Sequence, residues 1–251
     1  MKVSIITVCY NSKEHIKDAI ESVLNQSYKD IEYIIIDGAS TDGTVEVINS
    51  YNDKISKFVS EKDNGIYDAM NKGLALATGE IVGIINSDDF YIDNTIIESI
   101  VNEFKKSNID VLFADLIFVD RENIEKQVRY WKSKEYVEGS FFKGWHPSHP
   151  TFFVKNEFYK RFGLFRTELK LASDFELMLR FIVKHGAKTF YFNKASVKMR
   201  MGGASTKGFD NFIKQNMEVY KSFKLNNLKV SIFYPVLRIV PKILQFLKRS
   251  N

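Results

Sequence analysis

The apolar positions of the first half fall into two alternating patterns. Continuous β-branched runs at Val3 to Cys9, Tyr33 to Ile36 and Ile81 to Ile85 have the length of strands buried on both faces, and Lys57 to Ser60 reads as a shorter one. Between them apolar residues recur at helical spacing. Ile16, Ile20, Val23 and Leu24 share one face of a helix that Ser12 can cap and that runs to about Gln26. Ser40 or Thr41 opens a helix carrying Val45, Val47 and Ile48; another spans Ile66 to Ala77 and stops at Gly79; Asp93 caps a fourth, from Asn94 to Lys105. Asp110 to Val119 is a further strand. Strands alternating with helices predict βαβ units, a mostly parallel central sheet and right-handed crossovers, an α/β fold of Rossmann-like kind.

The second half is less periodic. Residues 121–145 are charged and aromatic and suggest an edge hairpin or loop; Thr151 to Val154 is a short strand. Asp174 to His185 is a helix with Leu177, Leu179, Phe181 and Ile182 as its apolar positions, Thr189 to Phe192 and Ala195 to Met199 are closing strands, and a helix runs from Phe209 to about Phe223 after the Gly202-Gly203 loop. No break in composition separates the halves, so residues 1–223 read as one domain with halves at 1–120 and 121–223, followed by a tail at 224–251.

Composition narrows the class. With 251 residues, 45% hydrophobic and 27% charged, the chain is an ordinary globular protein, which excludes disordered, collagen-like and coiled-coil classes. A single cysteine, Cys9, excludes a disulfide framework and fits a reducing compartment. The first residues lack the cleavage site of a signal peptide, which sets the expectation of a cytoplasmic protein. The net charge of +5 is unevenly placed. Lys224, Lys229, Arg238, Lys242, Lys248 and Arg249 supply six basic residues with no acid among them, leaving 30 basic and 31 acidic residues over 1–223. A near-neutral body argues against nucleic acid as a partner. The stretch 230–247 is apolar, yet Arg238, Lys242, Pro235 and Pro241 disfavour a spanning helix. It reads better as short amphipathic helices at a membrane surface, with Phe233, Leu237, Val240, Leu244 and Leu247 inserting, or as a helix packed on the domain.

The candidate chemistry collects where strands end. In an open parallel sheet ligands bind at the carboxyl ends of the strands. Here those ends carry Thr7, Tyr10 and Asn11; Asp37 to Thr44 (DGASTDGT); Glu61 to Gly65; and Asn86 to Asp89. No dinucleotide fingerprint follows the first strand and no Walker A loop is present. Gly65 permits close backbone approach, the helix after it can aim N–H groups at an anion, and Asp68 and Asn71 share a face at i, i+3. His146 and His149 stand three apart without a third ligand at zinc spacing.

ITVCYN at 6–11, IIIDGASTDGT at 34–44, EKDNGIYDAMNKGLALATGE at 61–80, IINSDDF at 84–90, HPTFF at 149–153, LASDFELMLR at 171–180 and MRMGGAST at 199–206 occur in one order. Together they resemble the family 2 inverting glycosyltransferases with the GT-A fold, in particular those of colanic-acid and O-antigen type that build bacterial polysaccharides. The resemblance implies a nucleotide-sugar donor, a UDP-linked one, bound by residues 1–120, and a glycan or lipid-linked glycan acceptor at the inner face of the membrane, with residues 121–223 as the acceptor and catalytic half. It implies that Thr7 and Tyr10 flank the base, and that Asn11, Asp37, Gly38, Ser40, Asp42, Asn64, Gly65, Asp68, Asn71, Asn86 and Ser87 border the donor. For Ser40 and Asp42, helix capping is an equal alternative. Asn86-Ser87-Asp88-Asp89 stands where the family has a D-x-D motif, with Asn in the first place; Asp88 would hold Mg²⁺ or Mn²⁺ and Asp89 would assist. Asp174 takes the place of the catalytic base, with Ser173 where a Glu is usual; His149 would line the acceptor side, Arg180 would be a structural or phosphate partner, and Arg200 would close over the diphosphate. The alternatives are a sugar-nucleotide nucleotidylyltransferase and a non-catalytic sugar-nucleotide or membrane-binding module.

Overall fold

The computed structural model describes residues 1–202 and 209–235, with nothing said of the segment between them or of 236–251. Four parallel strands open the chain: β1 Val3–Cys9, β2 Ile31–Asp37, β3 Lys57–Ser60 and β4 Ile81–Asn86. β1 lies between β2 and β4, and β3 forms the edge beyond β2. The joining helices are α1 Ile16–Leu24, α2 Thr44–Asn49 and α3 Ile66–Leu76. Continuous apolar runs suit β1, β2 and β4 because both faces are covered. Ile6 and Val8 pack with α3 on one side, while Val3, Ile5 and Cys9 pack with α1 on the other.

The second half adds β5 Asp89–Tyr91, α4 Ile96–Lys106, β6 Val111–Val119, β7 Gln127–Trp131, β8 Phe153–Lys155, α5 Asn156–Phe162, α6 Ser173–Leu179, β9 Thr189–Arg200 and α7 Phe209–Leu225. The sheet runs β3-β2-β1-β4-β8-β6-β9-β5, with β7 paired to β6. The parallel character expected of it holds from β3 to β4 and for β6 with β9. β8 joins β4 and β6 antiparallel, and β5 and β7 are antiparallel to β9 and β6. The two closing strands expected at 189–192 and 195–199 are one strand whose register shifts opposite Ala114 to Leu116.

Several boundaries differ for local reasons. α1 begins at Ile16 because Ser12 turns its hydroxyl to Tyr10 and Ser87 instead of capping. α2 begins at Thr44 because Asp37 takes the Ser40 side chain and Asp42 takes that of Thr44. α6 continues through one π turn, Arg180–Lys184. α7 runs past the expected tail boundary to Leu225, and the following chain docks on the domain as far as Tyr234. Its ring meets Phe223 at 4.9 Å, and its hydroxyl donates to the Phe141 carbonyl.

Candidate active site

An open cleft of about 430 Å³ lies at the carboxyl ends of β1 to β3, lined by Tyr10, Gly38, Ala39, Lys62, Asp63 and Gly65. Tyr10 offers an exposed ring. A Cβ at Gly38 would lie 2.5 Å from the Asp63 carboxylate, so a larger residue there would displace that side chain from the cleft wall. Asn11 and Ala39 adopt positive φ at the ends of β1 and β2. The two loops are latched together: Asn11 N–H donates to Ser40, and Thr41 N–H donates to the Asn11 side chain.

Residues expected to touch the donor divide into wall and frame. Tyr10, Gly38 and Gly65 line the cleft. Thr7 does not: it is fully buried, and its hydroxyl pairs with Tyr33 at 3.0 Å. Asp37 is likewise fully buried and receives Ser40 and Ser60, so it braces the floor beneath the cleft. Ser40 and Asp42 are loop braces, because Asp42 accepts the N–H groups of Lys13 and Thr44 and the Thr44 hydroxyl. Desolvation opposes ionisation of Asp42, but these hydrogen bonds outweigh it and hold its carboxyl below the usual carboxylate range.

Asp68 and Asn71, expected to face one pocket, turn to different partners. Asp68 turns back to accept the Asn64 N–H, closing the entry to α3. Asn71 pairs with both the carbonyl and the N–H of Phe165, each at 2.9 Å. Asn64 also offers its carbonyl to Lys170, and Gly65 takes φ +113° at the start of α3.

At the end of β4, Asn86 donates to Asp89, and Ser87 meets Ser12. The Asp88 carboxylate has no hydrogen-bond partner among the described residues, while its backbone carbonyl accepts from Arg200 at 2.8 Å. Arg200 is buried, lies over the Phe90 ring and also holds Asp18, so it fastens this turn to α1 and does not reach the cleft. Gly203, in the loop after Arg200, lies outside the described residues. Asp89 is fully buried; burial and then the charge of Asp88 push its carboxyl well above the usual range.

Asp174 lies in the first turn of α6, partly exposed, and its Oδ1 accepts the Tyr67 hydroxyl at 3.1 Å. Tyr67 is two residues beyond the cleft-lining Gly65, which connects the two parts of the site. Tyr67 stacks on Phe165, and His149 meets Phe165 edge-on. Burial pulls His149 below its usual range, with the Asp174 charge opposing, so the ring is neutral at pH 7. Arg180 faces the interior. It holds the buried Glu176 carboxylate in two hydrogen bonds and donates to the carbonyls of Phe162 and Leu164. His146 packs between Trp131 and Phe175.

Three contributors escaped the sequence reading. Asp63 stood in a cluster of strand-end residues but was not separated from its neighbours. Tyr67 reads as a pocket residue or a packing one, with no local signal of its contact with Asp174. Glu218 of α7 accepts the N–H groups of Lys170, Leu171 and Ala172 just before α6, and nothing in a regular helical pattern announces such a contact.

A divalent cation fits this rim in one way. Among the described residues no three His, Cys, Asp or Glu side chains form a metal cage. The free carboxylate of Asp88 suits a cation that takes one protein ligand and fills its remaining positions with substrate phosphates and water.

Residues 4–186 match the family described as Glycosyl transferase family 2. The chain is similar to an uncharacterized glycosyltransferase of Rickettsia typhi, 31% identical over 81% of this chain and 65% of that protein. It is also similar to one of Haemophilus influenzae, 31% identical over 94% of each. The chain therefore spans about two thirds of the Rickettsia relative's length. Among solved structures it shares its fold with residues 1–349 of S. aureus TarS in complex with UDP-GlcNAc. The TM-score is 0.67, with 20% identity, 94% of this chain and 69% of that one covered. It also shares it with the mannosyltransferase PcManGT of Pyrobaculum calidifontis in complex with GDP-Man and Mn²⁺, at TM-score 0.66, 19% identity, 94% of this chain and 68% of that one. The fold is thus the GT-A fold that the motifs implied, and the chain belongs to glycosyl transferase family 2.

Proposed function

We propose that the protein is an inverting glycosyltransferase that moves a sugar from a UDP-linked nucleotide sugar to a hydroxyl of a glycan or lipid-linked glycan. The observation that carries this reading is Asp174. One oxygen is held by Tyr67 beside the cleft, and Oδ2 has no hydrogen-bond partner among the described residues. In the reaction Oδ2 takes the proton of the acceptor hydroxyl while that oxygen bonds to the anomeric carbon. The bond from that carbon to the diphosphate breaks on the opposite side, and the nucleoside diphosphate leaves with the electron pair. Tyr10 stacks on the base, Asp63 and Gly38 border the nucleoside, and Gly65 lets the backbone approach the donor. His149 lines the acceptor side as a neutral ring.

Asp88 is the residue that would hold Mn²⁺ or Mg²⁺, which supplies charge stabilisation on the leaving diphosphate. The Mn²⁺ bound with GDP-Man in PcManGT supports this assignment. The UDP-GlcNAc complex of TarS supports a UDP-linked donor. The basic tail supports a place for the acceptor at the inner membrane surface, and no helix among the described residues is long and apolar enough to cross a membrane.

Nucleotide sugars screened for nucleoside diphosphate release, with and without Mn²⁺, test the activity, and Asp174→Asn tests the base. Expected is a loss of about 10²- to 10⁴-fold in turnover with UDP binding retained. Turnover undiminished by Asp174→Asn overturns the base, and an intact protein that releases nothing from any donor favours a non-catalytic binding module. Pyrophosphate-dependent formation of a nucleoside triphosphate would instead identify a nucleotidylyltransferase.

A further inference from the structure

Asp174 can act as a base only if its carboxylate stays turned toward the acceptor, and little in its own residue ensures that. The last torsion of an aspartate is a broad, nearly two-fold rotor. The backbone around it is fixed: Glu218 holds the N–H groups of residues 170–172, and the buried Glu176–Arg180 pair anchors the inner face of α6. The carboxylate itself has one described hydrogen bond, from Tyr67.

The Tyr67 phenol is unusually well placed to donate it. The ring stacks on Phe165 with 5.6 Å between centroids and 22° between planes. Phe165 is in turn clamped at both its carbonyl and its N–H by Asn71, one turn further along the same helix. Tyr67 is therefore set from two sides by α3 and its contacts. Burial, and next the Asp174 charge, raise the phenol well above its usual range, so it keeps its proton throughout.

We infer that Tyr67 is a positioning residue for the base proposed above: its hydroxyl fixes Oδ1 of Asp174 so that Oδ2 is the oxygen presented to the acceptor. It contributes no proton to the reaction and touches neither reacting atom. The inference rests on the reading of Asp174 as base. It adds that α3, which begins at the donor cleft with Gly65, also sets the angle of the carboxylate, so that one helix serves both substrates.

Tyr67→Phe removes one oxygen and leaves the stacking surface on Phe165. With a nucleotide sugar that the intact protein turns over, kcat is expected to fall about 10- to 100-fold, the scale of a misoriented catalytic group. Donor KM, UDP affinity in the presence of Mn²⁺ and the melting temperature should be unchanged. A purely structural role would move the melting temperature and UDP affinity along with kcat, and that result overturns the inference. So does a Tyr67→Phe kcat equal to the parent's while Asp174→Asn is inactive, a pattern that leaves the base intact. If Asp174→Asn itself keeps full turnover, the base reading has failed and the positioning role falls with it.

Discussion

Burial and the neighbouring Asp88 charge hold the Asp89 carboxyl well above its ordinary value of 3.8, with the Asn86 hydrogen bond and Arg200 opposing them. Its Oδ1 has no hydrogen-bond partner among the described residues. A carboxyl that binds its proton more tightly folded than unfolded costs nothing below about pH 4, where both states are protonated. The penalty grows as pH rises through the unfolded value and levels off above the folded one. Asp89→Asn keeps an acceptor for Asn86 and removes the charge. Thermal melts without metal should therefore show the variant above the parent at pH 7 to 8, with the two converging toward pH 4. A variant less stable than the parent across that range would mean that Asp89 is ionised at little cost. The residue scale also shows what alternation can reveal. Thr7 shares its face with Val3, Ile5 and Cys9, all in one core, so a period-two reading of β1 already turns it away from any cleft. Asp37 was harder, because a strand-end aspartate looks the same whether it meets a ligand or two serines.

At the scale of elements, α3 carries the most information. Its start at Gly65 and its length were legible, since the N-terminal glycine and the helical spacing of Tyr67, Met70 and Leu74 are local signals. Its partners were not. Asn71 reaches Phe165 across 94 residues and Tyr67 reaches Asp174 across 107, distances at which a single chain's pattern carries no signal. The same holds for the sheet: the parallel run of β1 to β4 followed from repeated βαβ units, whereas the order of those strands and the insertion of β8 between β4 and β6 were not written in any local pattern. The clamp makes its own prediction. Asn71→Ala gives up two hydrogen bonds and should cost about 1 to 3 kcal/mol. In a chain of this size that corresponds to a melting temperature lower by roughly 2 to 12 °C. Turnover should fall with it, since Phe165 supports both Tyr67 and His149, while UDP affinity stays at the parent value. Weakened UDP binding at an unaltered melting temperature would return Asn71 to the donor pocket.

For the whole molecule, charge and architecture divide at different places. The near-neutral body ends at residue 223, but the chain remains attached to it through Leu228, Val230 and Tyr234. Tyr234 is almost fully buried, whereas the adjacent Ile232 and Phe233 are 73% and 68% exposed, so two large apolar side chains face outward beside the docked Tyr234. Beyond Pro235 come Arg238, Lys242, Lys248 and Arg249 with no acid; of the inserting residues expected in the tail, Leu237, Val240, Leu244 and Leu247 lie outside the described residues. Removing everything from Leu228 would strip Tyr234 from the core and confuse folding with membrane binding. A chain ended after Pro235 avoids that, because its docked part is intact. Each basic residue near an anionic leaflet adds about 1 kcal/mol, so loss of those four should lower partitioning onto phosphatidylglycerol vesicles by roughly a thousandfold. The intact chain should sediment with such vesicles at low salt, release as salt screens the attraction, and ignore phosphatidylcholine alone. The shortened chain should stay in solution with an unchanged melting temperature and unchanged UDP affinity. If it still sediments with anionic vesicles, the tail is not the membrane anchor, and the exposed Ile232 and Phe233 become the next residues to replace.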